Sequence, residues 1–179
     1  MRMFGRILGY FVVLVIILIG VSFALPKEVT VARTVSIDAP AEAIFPHVNS
    51  LQNTEAWSPW LDRDPDVLLT YDGPEMGVGN KMAWASEVPE VGNGTQEITL
   101  SVENEKVQTA LDFGPMGTAN AEFLLAASGD TTEVTWGFVT DTGYNPMARY
   151  MGLMMDRWVG ADYEKGLGNL KTLVESGGG

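Results

Sequence analysis

His47 is the single histidine in a chain of 179 residues that has no cysteine. A catalytic triad needs a nucleophile, a base beside it and a third group to orient that base. No serine stands in a recognisable nucleophile setting, so His47 has nothing to activate and is read as a solvent-edge residue of a short helix. One histidine and no thiolate also leave zinc and iron without their usual ligands. Asp62-Arg63-Asp64-Pro65-Asp66 opens like a calcium loop, but the sixth loop position is Val67 where glycine is needed and the twelfth is Gly73 where glutamate is needed. It is read as a solvated acidic loop. Gly77-Val78-Gly79 lacks the third glycine and the following helix of a dinucleotide fingerprint. No catalytic residue, metal ligand set or cofactor is therefore assigned.

What remains is apolar and aromatic, and the elements that hold those side chains decide what they can do. Residues 7–25 carry no charge, and Arg2 and Arg6 precede them. At 1.5 Å per residue these nineteen positions span roughly 28 Å, close to the hydrocarbon thickness of a bilayer. Residues 1–26 are expected to form a single-pass anchor with its N-terminus in the cytoplasm and the following domain on the periplasmic or extracellular side of the inner or plasma membrane. A secretory signal is the competing reading, with Ser22-Phe23-Ala24 before the cut, but the apolar run exceeds a usual signal core of roughly 7–15 residues.

Beyond the anchor stand all 23 acidic residues against nine Lys and Arg, a balance of −14. That excludes nucleic acid, whose phosphates need basic groups, and it disfavours docking flat on anionic headgroups. Residues 27–176 suit one domain, with 177–179 as a disordered glycine tail.

Residues 30–38 alternate Val31, Arg33, Val35 and Ile37 with polar or small positions, the period of a half-buried strand. Ala39-Pro40 opens a short amphipathic helix over 41–51, with Pro46 as a kink. Strands are expected at 67–71, 80–87, 95–104, 106–113, 118–127 and 132–140, separated by turn residues such as Asp72-Gly73-Pro74, Gly92-Asn93-Gly94 and Ser128-Gly129-Asp130. A last helix, capped by Asn145, runs from about 146 to 175. Met147, Met151, Met155, Val159, Tyr163 and Leu167 step by four along it, so the stripe must wrap or the helix must bend, with Gly160 the expected place.

The opening VARTVSIDAPAEAIFPHVNSLQNTEAWSPW and the closing MGLMMDRWVGADYEKGLGNLKTLVE resemble the START/Bet v 1-like (SRPBCC) superfamily, specifically its polyketide cyclase/dehydrase-like branch. The resemblance covers residues 30–174. It implies an α+β helix-grip fold, a curved antiparallel sheet wrapped around the long C-terminal helix with a cavity between them. Members bind lipids, sterols, polyketides or aromatic hormones, and only some are enzymes.

Alternation places Leu100, Val102, Leu111, Phe113, Phe123, Leu125, Val134, Trp136 and Phe138 on the concave face, with Thr109 and Thr140 as polar handles and Trp84 beside them. Met151 and Met155 oppose them from the helix, and Trp57 and Trp60 stand in the loop that could close over them. The pocket candidates are Trp57, Trp60, Trp84, Leu100, Thr109, Leu111, Phe113, Phe123, Trp136, Phe138, Met151 and Met155, a set whose flexible methionines, aromatics and few polar groups suit an apolar ligand. The same stripes would equally fill a solid core. Glu97, Glu103, Asp112 and Glu122 fall on the convex face.

Three functions follow as expectations. The first is a membrane-tethered binding domain for a hydrophobic small molecule or lipid. The second is a cyclase or dehydratase, which needs a titratable residue on the concave face. The third is a protein-interaction or chaperone-like module whose partner the sequence does not name. A second apolar row on the last helix, Tyr150, Met154 and Trp158, also needs a cover: the Trp57–Trp60 loop first, otherwise a second protein or the membrane interface.

Overall fold

The computed structural model describes residues 2–177. A first helix, α1 (Arg2–Ser22), leads into β1 (Glu28–Ile37), α2 (Ala41–Val48) and a 3₁₀ turn (Asn53–Ala56). The meander β2 (Leu68–Asp72), β3 (Lys81–Ala85), β4 (Asn93–Val102), β5 (Lys106–Asp112), β6 (Thr118–Ser128) and β7 (Thr131–Asp141) follows, and α3 (Pro146–Gly177) closes the chain. Gly177 ends α3, and Gly178 and Gly179 lie outside the described residues. All seven strands form one antiparallel sheet in the order β1-β7-β6-β5-β4-β3-β2. From β2 to β7 each sequential pair is a hairpin, which is what turn glycines between strands produce; Gly73, Gly92 and Gly129 all adopt positive φ.

Helix α3 runs along β1 in the same direction. Gly152 lies on Val29, Gly160 on Arg33, and Lys171 Nζ donates to the Ser36 carbonyl (2.7 Å). Asn145 caps the helix, its Oδ1 accepting from the backbone N–H groups of Met147 (3.0 Å) and Ala148 (3.3 Å). Helix α3 is continuous through Gly160. A Cβ there would collide with the Arg33 guanidinium, which crosses the helix to reach Asp156 (2.9 Å) and Glu164 (2.6 Å). The core lies between the sheet and the C-terminal half of α3, where Ile37, Ile44, Val134, Tyr163, Leu167 and Leu170 are buried.

Two expectations about faces need correction. The β4–β5 register shifts between Ile98 and Leu100, so Thr99 is an extra, bulged residue. The bulge reverses the alternation after it. Ser101 points inward to Asn49 (2.8 Å), while Leu100 and Val102 turn outward and are 38% and 39% exposed. Neither lies on the concave face. The acidic loop is also not a free solvated loop. Asp62 accepts from Lys165 (2.6 Å), Arg63 pairs with Asp162, and the buried Asp64 accepts from Ser86 (2.5 Å), so the segment is a strap from α3 to the β3–β4 turn.

Candidate ligand site on the concave face

The concave face divides into a solid half and an open half. The solid half lies over β1, β7 and β6, under the C-terminal half of α3 and the strap. Trp136 stacks on Tyr163 (3.9 Å between ring centroids) and on Phe123 (4.9 Å), and meets Trp57 (5.3 Å) and Trp60 (5.5 Å) edge to face. Trp57 is itself held at both ends, its Nε1 donating to the His47 carbonyl (3.1 Å) and its carbonyl accepting from Asn169 (3.2 Å). A cluster packed this way is core, with each aromatic pair adding about 0.5–1.5 kcal/mol beyond its burial. Trp57, Trp60, Phe123 and Trp136 thus meet one another, and Phe138 is buried beside them. Burial pushes the Tyr163 phenol above its usual range, with Asp162 adding to the effect, so it stays neutral. The Trp136 Nε1–H is buried without a hydrogen-bond partner.

The open half lies over β2–β5. Register sets its rows across the sheet: Leu69, Trp84 and Gly94 in one, and Tyr71, Met82, Gln96, Leu111, Ala119 and Thr140 in the next. Ile98, Thr109, Ala121, Phe138 and Val31 form the third. Leu111, Phe113, Trp84, Met82 and Gln96 are half-buried, the first two and Met82 packing against the margin of the core, and no helix packs extensively on β2–β5. The trough is this half-buried apolar surface; Gly94 lies under the Trp84 ring, and Ala119 and Ala121 are buried beneath their larger neighbours. Trp84 and Phe113 meet edge to face (5.8 Å) at its rim, and Trp84 Nε1 donates to the Val91 carbonyl (3.3 Å). Gln96 Nε2 donates to Thr109 Oγ1 (3.0 Å), which leaves the Gln96 carbonyl oxygen free to accept. Thr140 Oγ1 is taken by the Thr118 carbonyl (2.7 Å).

Of the twelve residues expected to line a pocket, Trp84, Thr109, Leu111 and Phe113 lie on the rows of this trough, whereas Met155 packs from α3 against the core. Leu100 is excluded by the bulge. Met151 is nearly half exposed and is not among the residues packed against the core.

One pair escaped the sequence reading. Tyr71 donates its hydroxyl to Glu55 Oε1 (2.6 Å), and burial, then the carboxylate, raises the phenol above its usual range. Nothing in the spacing of Glu55 and Tyr71 signalled this contact, because it joins the 3₁₀ turn to the edge strand. Glu97 and Glu122 lie on the convex face as expected, paired with Lys81 (3.1 Å) and Lys106 (2.9 Å). Lys106 and then Gln108 hold the Glu122 carboxyl below the usual range. An open hollow of about 630 Å³ lies on that convex side, lined by Thr70, Lys81, Glu97, Asp112 and Asn120 together with apolar atoms of Met82, Ala83, Ala110 and Leu111; it is a saddle of the twisted sheet. Among the described residues no group of three or more His, Asp or Glu is placed to hold a metal ion.

The profile of one protein family, described as polyketide cyclase / dehydrase and lipid transport, matches residues 28–175. No curated protein matches the chain in sequence. Among solved structures the chain is similar to CalU16 from Micromonospora echinospora, with 15% identity, 81% of this chain and 75% of that chain covered, and a TM-score of 0.56. It is similar to a protein from Arthrobacter aurescens, with 14% identity, coverage of 83% and 87%, and a TM-score of 0.59. It is similar also to a protomer of the Aha1 dimer from Colwellia psychrerythraea, with 19% identity, coverage of 84% and 99%, and a TM-score of 0.55. Identities this low carry the helix-grip fold and nothing finer.

Proposed function

Because the chain belongs to the polyketide cyclase / dehydrase and lipid transport family, we propose that it is a membrane-tethered domain that binds a hydrophobic small molecule or lipid in the trough over β2–β5. The observation that carries this reading is the division of the concave face. One half is sealed by five interlocked aromatic rings, while the other leaves half-buried Trp84, Phe113, Leu111 and Met82 around two amide and hydroxyl groups. Large apolar surface with a few fixed polar groups is what binding of an apolar ligand requires. The tether is supported by α1, whose Gly5–Ser22 stretch is long and apolar enough to cross a bilayer, with mean hydropathy 2.3. Its side chains from residue 5 to 21 are exposed, a surface far beyond the few hundred Å² that a soluble protein leaves in water. With Arg2 and Arg6 on one side, the N-terminus is cytoplasmic and the domain lies across the membrane.

The full chain, released from micelles into the gas phase, should carry a bound small molecule. Leu111→Trp, which fills the trough, should lose it, while Leu100→Trp on the convex face should keep it. Retention by both variants would place the ligand elsewhere.

The enzyme reading has one observation of its own, the Tyr71–Glu55 pair on a trough row. Tyr71→Phe removes the proton of that pair; unchanged ligand retention and an unmodified ligand mass would leave binding as the whole function.

A further inference from the structure

We propose that the end of the sheet from which α1 leaves is seated in the bilayer interface, so that the trough opens directly onto lipid. The inference rests on α1 being a membrane span, and it adds where the domain stands on that membrane.

Helix α1 is locked to α3. Arg149 is buried, and its guanidinium donates from Nη1 to the carbonyls of Ser22 (3.2 Å) and Leu25 (3.3 Å) and from Nε to that of Gly143 (2.9 Å). It also lies over the Phe23 ring, 5.4 Å from the centroid. A cation on the last carbonyls of a helix complements its dipole as well as its unpaired acceptors. One turn further into the span, the Tyr150 hydroxyl donates to the Leu18 carbonyl (2.7 Å). Leu18 precedes Ser22 by four residues, about 6 Å of helix. If α1 spans, the first turns of α3 are therefore held at the depth of its last turn, where tyrosine is favoured.

The antiparallel order puts the starts of β1, β2, β4 and β6 and the ends of β3, β5 and β7 at this same end. The most exposed large apolar residues outside α1 gather there: Leu68 at 71%, Met116 at 73%, Tyr144 at 82% and Met147 at 68%. They come from three separate segments, at 68, 116 and 144–147, that share only this position. The expected loop cover for the second row of α3 does not reach it. Met147, Met151, Met154 and Trp158 continue, at spacings of three and four, the face whose later members Asp162, Lys165 and Asn169 are covered by the strap. The strap stops at Asp162, and Met154 and Trp158 remain half exposed. The rim residues of the trough, Trp84 and Phe113, lie on the row of the sheet nearest α1. An apolar ligand could pass from lipid to trough without crossing water.

The end also carries Glu28, Glu87, Glu90, Asp112 and Asp141 against Lys27 and the buried Arg149. It therefore suits a zwitterionic leaflet, since acidic side chains are repelled by anionic headgroups.

The absence of native cysteine permits a direct test. Single cysteines at Leu68, Met116, Met147, Val13 and Val78 of the full chain are labelled with an environment-sensitive fluorophore in phosphatidylcholine vesicles, and quenching by lipids brominated on the acyl chain is measured. Labels at Leu68, Met116 and Met147 should be quenched at least two-fold more than one at Val78, which lies in the β2–β3 turn at the far end, and replacing half of the lipid by phosphatidylglycerol should weaken the effect. Quenching at Val13 with labels at 68, 116 and 147 matching Val78 would leave the tether intact and overturn the seated rim. No quenching at Val13 would overturn the span and the rim with it.

Discussion

Gly166 and Gly168 stand two residues apart in α3 and should respond oppositely to the same substitution. A Cβ on Gly166 would stand 2.8 Å from Trp136 Cζ3 and 3.1 Å from Pro59 Cδ, whereas one on Gly168 meets nothing within 4 Å. Trp136 cannot yield, because Tyr163 stacks on it and Phe123, Trp57 and Trp60 close its other sides. Alanine is better than glycine in a helix interior by about 1 kcal/mol, and overpacking a rigid core costs about 1–3 kcal/mol. Gly168→Ala should therefore stabilise by about 1 kcal/mol, and Gly166→Ala should range from neutral to about 2 kcal/mol destabilising. The propensity gain is common to both, so their difference isolates the wedge at about 1–3 kcal/mol, or about 2–12 °C in Tm at about 2–4 °C per kcal/mol. Thermal unfolding of the full chain in detergent, followed by near-ultraviolet circular dichroism of the tryptophan cluster, measures it. Equal stabilisation by both substitutions would refute the solid half, since Gly166 would then have room that an interlocked cluster does not leave.

Trp136→Ala should cost about 3–5 kcal/mol in urea unfolding, while Leu111→Ala, at the half-exposed trough, should cost less than about 2 kcal/mol; the ratio separates core from lining. Arg149→Met leaves the Ser22 and Leu25 carbonyls without their donor, weakening the α1–α3 junction by about 1.5–3 kcal/mol, and hydrogen exchange over residues 18–27 should accelerate accordingly. Burial holds the His47 imidazole below its ordinary 6.5. The folded state thus binds fewer protons than the unfolded one between the two values, and stability present above 6.5 declines as pH falls through that window. His47→Gln should remove that part of the slope in pH-dependent unfolding.

The order of elements was legible in the sequence because local chemistry states it. Asp72-Gly73, Gly92-Asn93-Gly94 and Ser128-Gly129 announce hairpins, and Asn145 announces a helix start. What local chemistry does not state was misread. Thr99 carries no glycine to signal a bulge, yet one inserted residue reverses every side chain after it, and that moved Leu100 and Val102 outward. The strap of Asp62, Arg63 and Asp64 looked solvated because its partners Lys165, Asp162 and Ser86 are distant in sequence. Arg149 had no reason to be singled out, since a buried arginine is identified only by the carbonyls that converge on it. The four-residue stripe on α3 was real from Met155 onward, through Val159, Tyr163 and Leu167, but nearer the start Gly152 lies on the sheet, so Met147 and Met151 fall to its side.

Nine methionines are spread over the regions that matter. Methyl-labelled methionine in the full chain, placed in bilayer nanodiscs, therefore offers the most direct test of a lipid-binding trough through contacts between lipid acyl protons and individual methyl groups. Met82 reports the trough, Met116 and Met147 the rim, and Met76 the far turn. Acyl contacts at Met82 and none at Met76 are expected. Contacts confined to Met116 and Met147, with Met82 silent and the domain folded, would contradict a bound lipid in the trough.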